Sequence, residues 1–172
     1  GAADNSKFVI DGNVIKSAAV LDYEMQNSFN IRVRTTTQYG SSFEKALTIS
    51  LTDVNEIPTL ADIADQTICY TASQQTVNLT GISAGPETSQ TARVTVTSDN
   101  SALFSSLTAG NVNGTSAQLN YRVASGKSGV ATITVTITDN GGTANGGVNT
   151  ISKVFVVTVN PLPQIAITSD LG

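Results

Sequence analysis

The 172-residue chain has no histidine, no tryptophan, one cysteine and only four prolines. Without histidine, Ser-His-Asp and Cys-His catalysis and His-containing metal sites are excluded within it. Without tryptophan, sugar binding on an aromatic platform loses its broadest side chain. The single Cys69 cannot form an internal disulfide. In Gln66-Thr-Ile-Cys-Tyr70 it is expected to pack as a small apolar side chain. Charged residues make up 13%, about half the usual share. The net charge of −4 and a pI near 4.6 argue against a nucleic-acid partner, which requires clustered Lys and Arg. No run approaches the ~20 apolar residues of a membrane span, so no membrane insertion is expected of this stretch. No signal-peptide pattern is visible.

Thr, Ser, Val, Asn and Gly carry the polarity instead, and an apolar fraction of 40% suffices for cores. Alternating Thr- and Val-rich runs suit pleated sheets with one wet face. The expected class is all-β: tandem immunoglobulin-like (Greek-key) β-sandwiches, the first one incomplete. In residues 1–57, Lys7 to Ile10, an Asp11-Gly12 turn and Val14 to Lys16 form a hairpin-like unit. Phe29, Ile31 and Val33 alternate with polar residues, as do Leu47, Ile49 and Leu51, and 38–42 joins the two runs. A half-sandwich would leave apolar residues and strand edges bare. It is therefore expected to be poorly ordered, to pack irregularly, or to dimerise through a neighbour's strands.

Residues 58–160 are the right size for a complete immunoglobulin-type sandwich. Strands are expected at 66–70, 76–79, 91–98, 117–123, 129–138 and 150–160. In Ala131-Thr-Ile-Thr-Val-Thr-Ile-Thr138 the period is two, with Ile133, Val135 and Ile137 inward and threonines opposite. Asn113-Gly114 is turn chemistry, and 140–147 is expected to be a flexible hairpin loop. Residues 161–172 read as a linker and the first strand of a further repeat. Asp62 and Asp65 read as exposed loop acids, and Asp99-Asn100 as a turn cap.

Two short acidic motifs stand out. Leu21-Asp-Tyr-Glu24 and, about thirty residues later, Asp53-Val-Asn-Glu-Ile-Pro58 resemble the calcium-binding linker of cadherin repeats, whose consensus reads LDRE followed by DxNDxxP. The likeness covers the first third of the chain. The remainder, with its Asn78-Leu-Thr-Gly-Ile-Ser-Ala-Gly85 and Val94-Thr-Val-Thr-Ser-Asp-Asn100 stretches, is similar to bacterial immunoglobulin-like surface repeats. The cadherin likeness implies calcium as the bound ion. Its implied ligands are Asp22 and Glu24, then Asp53, the Asn55 backbone carbonyl and Glu56, and finally Asp139 at the A-x-D position of the following module. Calcium takes about six to eight oxygen ligands in irregular geometry, which converging loops can supply. Two carboxylates 4 Å apart repel by about 4 kcal/mol at an effective dielectric near 20, so such a joint should splay without cation and stiffen with it. Thr37 and Tyr39 stand where an upstream junction would need acids, so that junction is expected to bind calcium weakly or not at all.

The resemblance implies a non-catalytic, extracellular adhesion or stalk segment of a large bacterial surface or secreted protein. Its partners would be other repeats of the same protein and a cell-surface protein or polysaccharide. The alternative is a calcium-dependent carbohydrate-binding module attached to a secreted enzyme, using Tyr23, Tyr39, Tyr70 or Tyr121 as platforms.

Overall fold

The computed structural model describes residues 4–164. The chain divides into two compact units, Gly1–Val54 and Asn55–Gly172. The division falls just before Asn55, slightly ahead of the boundary at 57/58 expected from the linker motif, because Asn55 is bonded into the second unit. Of the linker and further strand expected over 161–172, residues 165–172 lie outside the described ones.

The first unit is built from two hairpins. Strands β1 (Phe8–Asp11) and β2 (Val14–Ser17) pair antiparallel around the Asp11-Gly12 turn, and β3 (Ser28–Thr36) pairs with β4 (Ser42–Ser50) in the register Phe29↔Ile49 and Ile31↔Leu47. Alternation decides the inward set: Phe29 and Ile31 are buried, while Leu47 and Ile49 are half-buried. Phe8 meets Phe29 edge-to-face at 5.6 Å, a favoured aromatic geometry. The partial sandwich closes one edge of β3 with side chains. Asp4 Oδ2 accepts the Asn30 N–H at 2.7 Å, Asn5 Oδ1 accepts the Arg32 N–H at 2.8 Å, and Asn5 Nδ2 donates to the Arg32 carbonyl at 2.8 Å. Val9, Ile10, Val14 and Phe43 remain exposed.

The second unit is a seven-stranded sandwich. Its strands are β5 (Gln66–Cys69), β6 (Gln75–Leu79), β7 (Ala92–Ser98), β8 (Phe104–Ala109), β9 (Ala117–Val123), β10 (Gly129–Asp139) and β11 (Thr150–Asn160). One sheet runs β5-β11-β10-β7 and the other β6-β9-β8. Strand β5 is parallel to β11, and the other pairs are antiparallel. Leu79, Leu119, Ile133, Val135, Ile137 and Val157 have no measurable exposure and centre the core. As the period-two pattern predicts, Ile133, Val135 and Ile137 point inward, with half-buried threonines between them.

Two expectations are corrected. Strand β8 is absent from the expected set because a register shift between Phe104 and Ser106 breaks its alternation, and a bulge disguises the period. Cys69 is exposed, not packed as a small apolar residue. Its neighbour Ile68 packs against the core, so alternation turns the thiol outward.

Candidate metal centre

The antiparallel register pairs Asp139 with Ala92, so the end of β10 lies beside the start of β7. The segments around 55–58, 80–91 and 140–149 consequently gather at one pole of the second sandwich. Thr59 exchanges backbone hydrogen bonds with Ser83, at 3.0 and 3.4 Å, fixing the incoming chain there.

Asn55 organises this pole. It is buried, as is Asp139 at 5% exposure. The Asn55 Nδ2 group donates to the Val148 carbonyl at 2.8 Å and lies 3.3 and 3.5 Å from the two Asp139 carboxylate oxygens. Its Oδ1 accepts from Gln90 Nε2 at 2.7 Å. Its backbone carbonyl accepts the Val148 N–H at 3.0 Å, which leaves one lone pair for a further partner. Asp139 Oδ1 also accepts the Gly141 N–H at 2.8 Å. Two glycines near the ends of the 140–147 loop, Gly141 and Gly147, come close to this group, while residues 143–146 between them are exposed. A Cβ at Gly141 would collide with Asn55 Oδ1 and Gln90 Nε2, and one at Gly147 would sit 3.0 Å from Asn55 Cβ. Only glycine permits that approach.

Beside this satisfied cluster lies an unsatisfied one. Both carboxylate oxygens of Glu87 and the Oε1 of Gln90 are shielded from solvent, and no hydrogen-bond partner reaches them among the described residues. Glu87 Oε2 lies over Gly85, where φ is +136° and a Cβ would collide with that oxygen. Glu56 and Glu87 bring one carboxylate oxygen each within 4.8 Å of the other. Among the described residues, no ion pair engages Glu87 or Asp139. Burying electron-pair donors without protons or cations is costly. Two oxygens on one calcium, with bonds of about 2.3–2.6 Å, lie no more than about 5 Å apart. The donor set therefore fits a hard divalent cation.

The residues expected as ligands divide between the units. Asp22, Glu24 and Asp53 are exposed in the first, where Asp22 Oδ1 accepts the Met25 N–H at 3.1 Å and so shapes its own turn. Asn55, Glu56 and Asp139 lie in the second, and Asn55 and Asp139 are in direct contact. Glu87 and Gln90 were not among the expected residues. A signal for them exists in Gly85-Pro-Glu-Thr-Ser-Gln90, a polar loop running into β7, but the pole it joins follows only from the β7–β10 register.

Other singled-out acids have local roles. Asp62 pairs with Lys153 at 2.7 Å, and that hydrogen bond, then the Lys153 charge, lowers its pKa. Asp65 accepts the Val156 N–H at 2.7 Å. Asp99 accepts the Thr132 N–H at 2.7 Å, extending a strand edge rather than capping a turn. Tyr121 is buried at 1% exposure, with its pKa raised by burial, so it cannot serve as a sugar platform.

The architecture is that of cadherin-type and immunoglobulin-like β repeats. Neither a family model nor a curated protein sequence matches the chain. A protocadherin gammaB7 EC3-6 cis-dimer structure matches with a TM-score of 0.56 at 16% identity, over 94% of this chain and 39% of that one. Mouse cadherin-23 EC22-24 matches with a TM-score of 0.49 at 15% identity, over 84% and 46%. Human mucin-like protocadherin EC1-2 gives 0.46 at 18%, over 91% and 79%. The chain thus spans well under half of the protocadherin gammaB7 fragment whose fold it shares.

Proposed function

We propose that this chain is a calcium-stiffened extracellular segment of an adhesion or structural protein, a stretch of β modules within a bacterial surface or secreted protein. The observation that carries the reading is the buried Glu87 carboxylate, with both oxygens unpartnered and Glu56 within reach of the same ion. The sequence pattern supports adding Asp22, Glu24 and Asp53 to the ligand set, with Asn55 and Asp139 ordering the pole behind it. Calcium, when bound, supplies the positive charge this acidic group lacks. Without it, mutual repulsion of the carboxylates loosens the 53–58 linker; with it, the linker stiffens. Extracellular modules bind calcium at about 10⁻⁴–10⁻³ M, so the site would fill outside a cell and empty inside one. Function is then mechanical: the residues hold an ion that sets stiffness, and no catalytic group is required.

Titration calorimetry with calcium tests this on the unmodified chain, on Asp53→Ala and on Glu87→Gln. Binding heat that both substitutions weaken is expected. No heat from the unmodified chain would remove the proposal.

A further inference from the structure

We infer that Gln90 donates its side-chain oxygen to the bound cation, and that Asp139 acts on that ion through two amides rather than as a ligand. The inference rests on the cation reading above and specifies which atoms of the second unit meet the ion.

The argument starts from two groups whose polarity cannot change. The Val148 carbonyl and the Asp139 carboxylate can only accept. Asn55 must therefore turn its NH₂ toward them, as it does at 2.8, 3.3 and 3.5 Å. That choice points Asn55 Oδ1 the other way, where it can only accept. Gln90 Nε2 supplies the donor at 2.7 Å. Reversing Gln90 would set two acceptor oxygens against each other at that separation. Reversing Asn55 as well would set its oxygen against a carboxylate and a carbonyl. One orientation alone satisfies the chain of groups, and it aims Gln90 Oε1 away from Asn55.

That oxygen is buried and meets no donor, like both oxygens of its neighbour Glu87. The two side chains converge over Gly85, whose added Cβ would collide with Glu87 Oε2 and lie 3.6 Å from Gln90 Oε1. The backbone ties them further, since the Gln90 N–H donates to the Glu87 carbonyl at 3.3 Å. The buried acceptors at this pole thus fall into two sets. The side-chain oxygens of Asp139 and Asn55 each meet a protein N–H group. Those of Glu87 and Gln90 lack donors, and a cation satisfies all three oxygens. Neutral amide oxygens are ordinary calcium ligands. Asp139 sets the polarity of the relay that orients this one, a positioning role of the kind partners behind a ligand commonly play.

The test uses the whole chain with calcium calorimetry, and with terbium bound in calcium's place. Terbium luminescence lifetimes in light and heavy water count the waters on the ion. Gln90→Met removes the oxygen and should weaken calcium binding by about tenfold or more while adding about one water to the bound ion. Gln90→Asn withdraws the oxygen by one methylene, with little risk to folding, and should add a water too. Gln90→Glu returns an oxygen and should restore the original count. If the unmodified chain binds calcium and both Gln90→Met and Gln90→Asn keep its affinity and water count, the role of Gln90 is overturned and the cation site stands. Should Gln90→Met not fold, an unchanged count in Gln90→Asn is enough to overturn it. No binding by the unmodified chain overturns both.

Discussion

The side-chain amide of Asn55 faces the carboxylate of Asp139 across 84 residues of sequence, with Nδ2 3.3 and 3.5 Å from its two oxygens. The contact pins the entering chain to the end of β10 and closes one pole of the second sandwich. Asn55→Ala would strip donors from Asp139 and the Val148 carbonyl and leave Gln90 Nε2 without its acceptor. Hydrogen bonds to charged groups contribute about 1.5–3 kcal/mol, so a loss of about 2–4 kcal/mol is expected in urea unfolding of the second unit. Gly141→Ala should cost about 1–3 kcal/mol by overpacking the same spot. Because the two changes share Asn55, their effects should not add. Strict additivity would contradict the packing described.

Calcium should raise the stability of the second unit. At a concentration 100 times the dissociation constant, one site contributes about 2.7 kcal/mol. Glu87→Gln should lose most of that increment without lowering cation-free stability, since the unmodified carboxylate is buried without a donor. Equal stabilisation of both proteins in chemical denaturation would count against Glu87 as a ligand. Magnesium should stabilise less, because it demands near-octahedral geometry and gives up water reluctantly.

Acid should weaken the first unit through Asp4. The Asn30 N–H, then Gln26, lower its pKa from 3.8, partly opposed by burial, with a lesser lowering from Lys7. A carboxylate lowered on folding stabilises at pH above its unfolded value, and that contribution disappears as pH falls through the folded one. Amide exchange of Asn30 and Arg32 should therefore speed up on acidification below about pH 4, beyond the intrinsic change in exchange rate. Asp4→Asn should flatten this dependence. Identical pH profiles for the two proteins would exclude the Asp4 tether.

Cys69, exposed at the end of an edge strand, should react completely with a thiol reagent under native conditions. Its rate should be the same with and without denaturant, because no unfolding step precedes reaction. Labelling that requires denaturant would return it to the core.

Much of the fold is legible from alternation alone. Ile133, Val135 and Ile137 declare a core strand, as Phe29 and Ile31 do in the first unit, because apolar side chains at period two must share a sheet face. Alternation fails where the backbone departs from it, as at the bulge in β8. Misreading which face is buried has a similar effect: Cys69 looked apolar in an apolar run, yet Ile68 took the inward position. At the candidate site, motif spacing points to Asn55, Glu56 and Asp139, whereas Glu87 and Gln90 sit in a polar loop whose place at this pole follows only from the β7–β10 register.

Composition and short-range pattern thus determined by themselves that this chain is all-β, without histidine for catalysis or metal binding, and acidic around residues 53–56. They could do so because strand periodicity and side-chain chemistry are local properties. Which acceptors go without donors was decided only by tertiary structure. That depends on the β7–β10 register, on glycines admitting Asn55, and on carbonyl and carboxylate groups whose fixed polarity orients every amide between them.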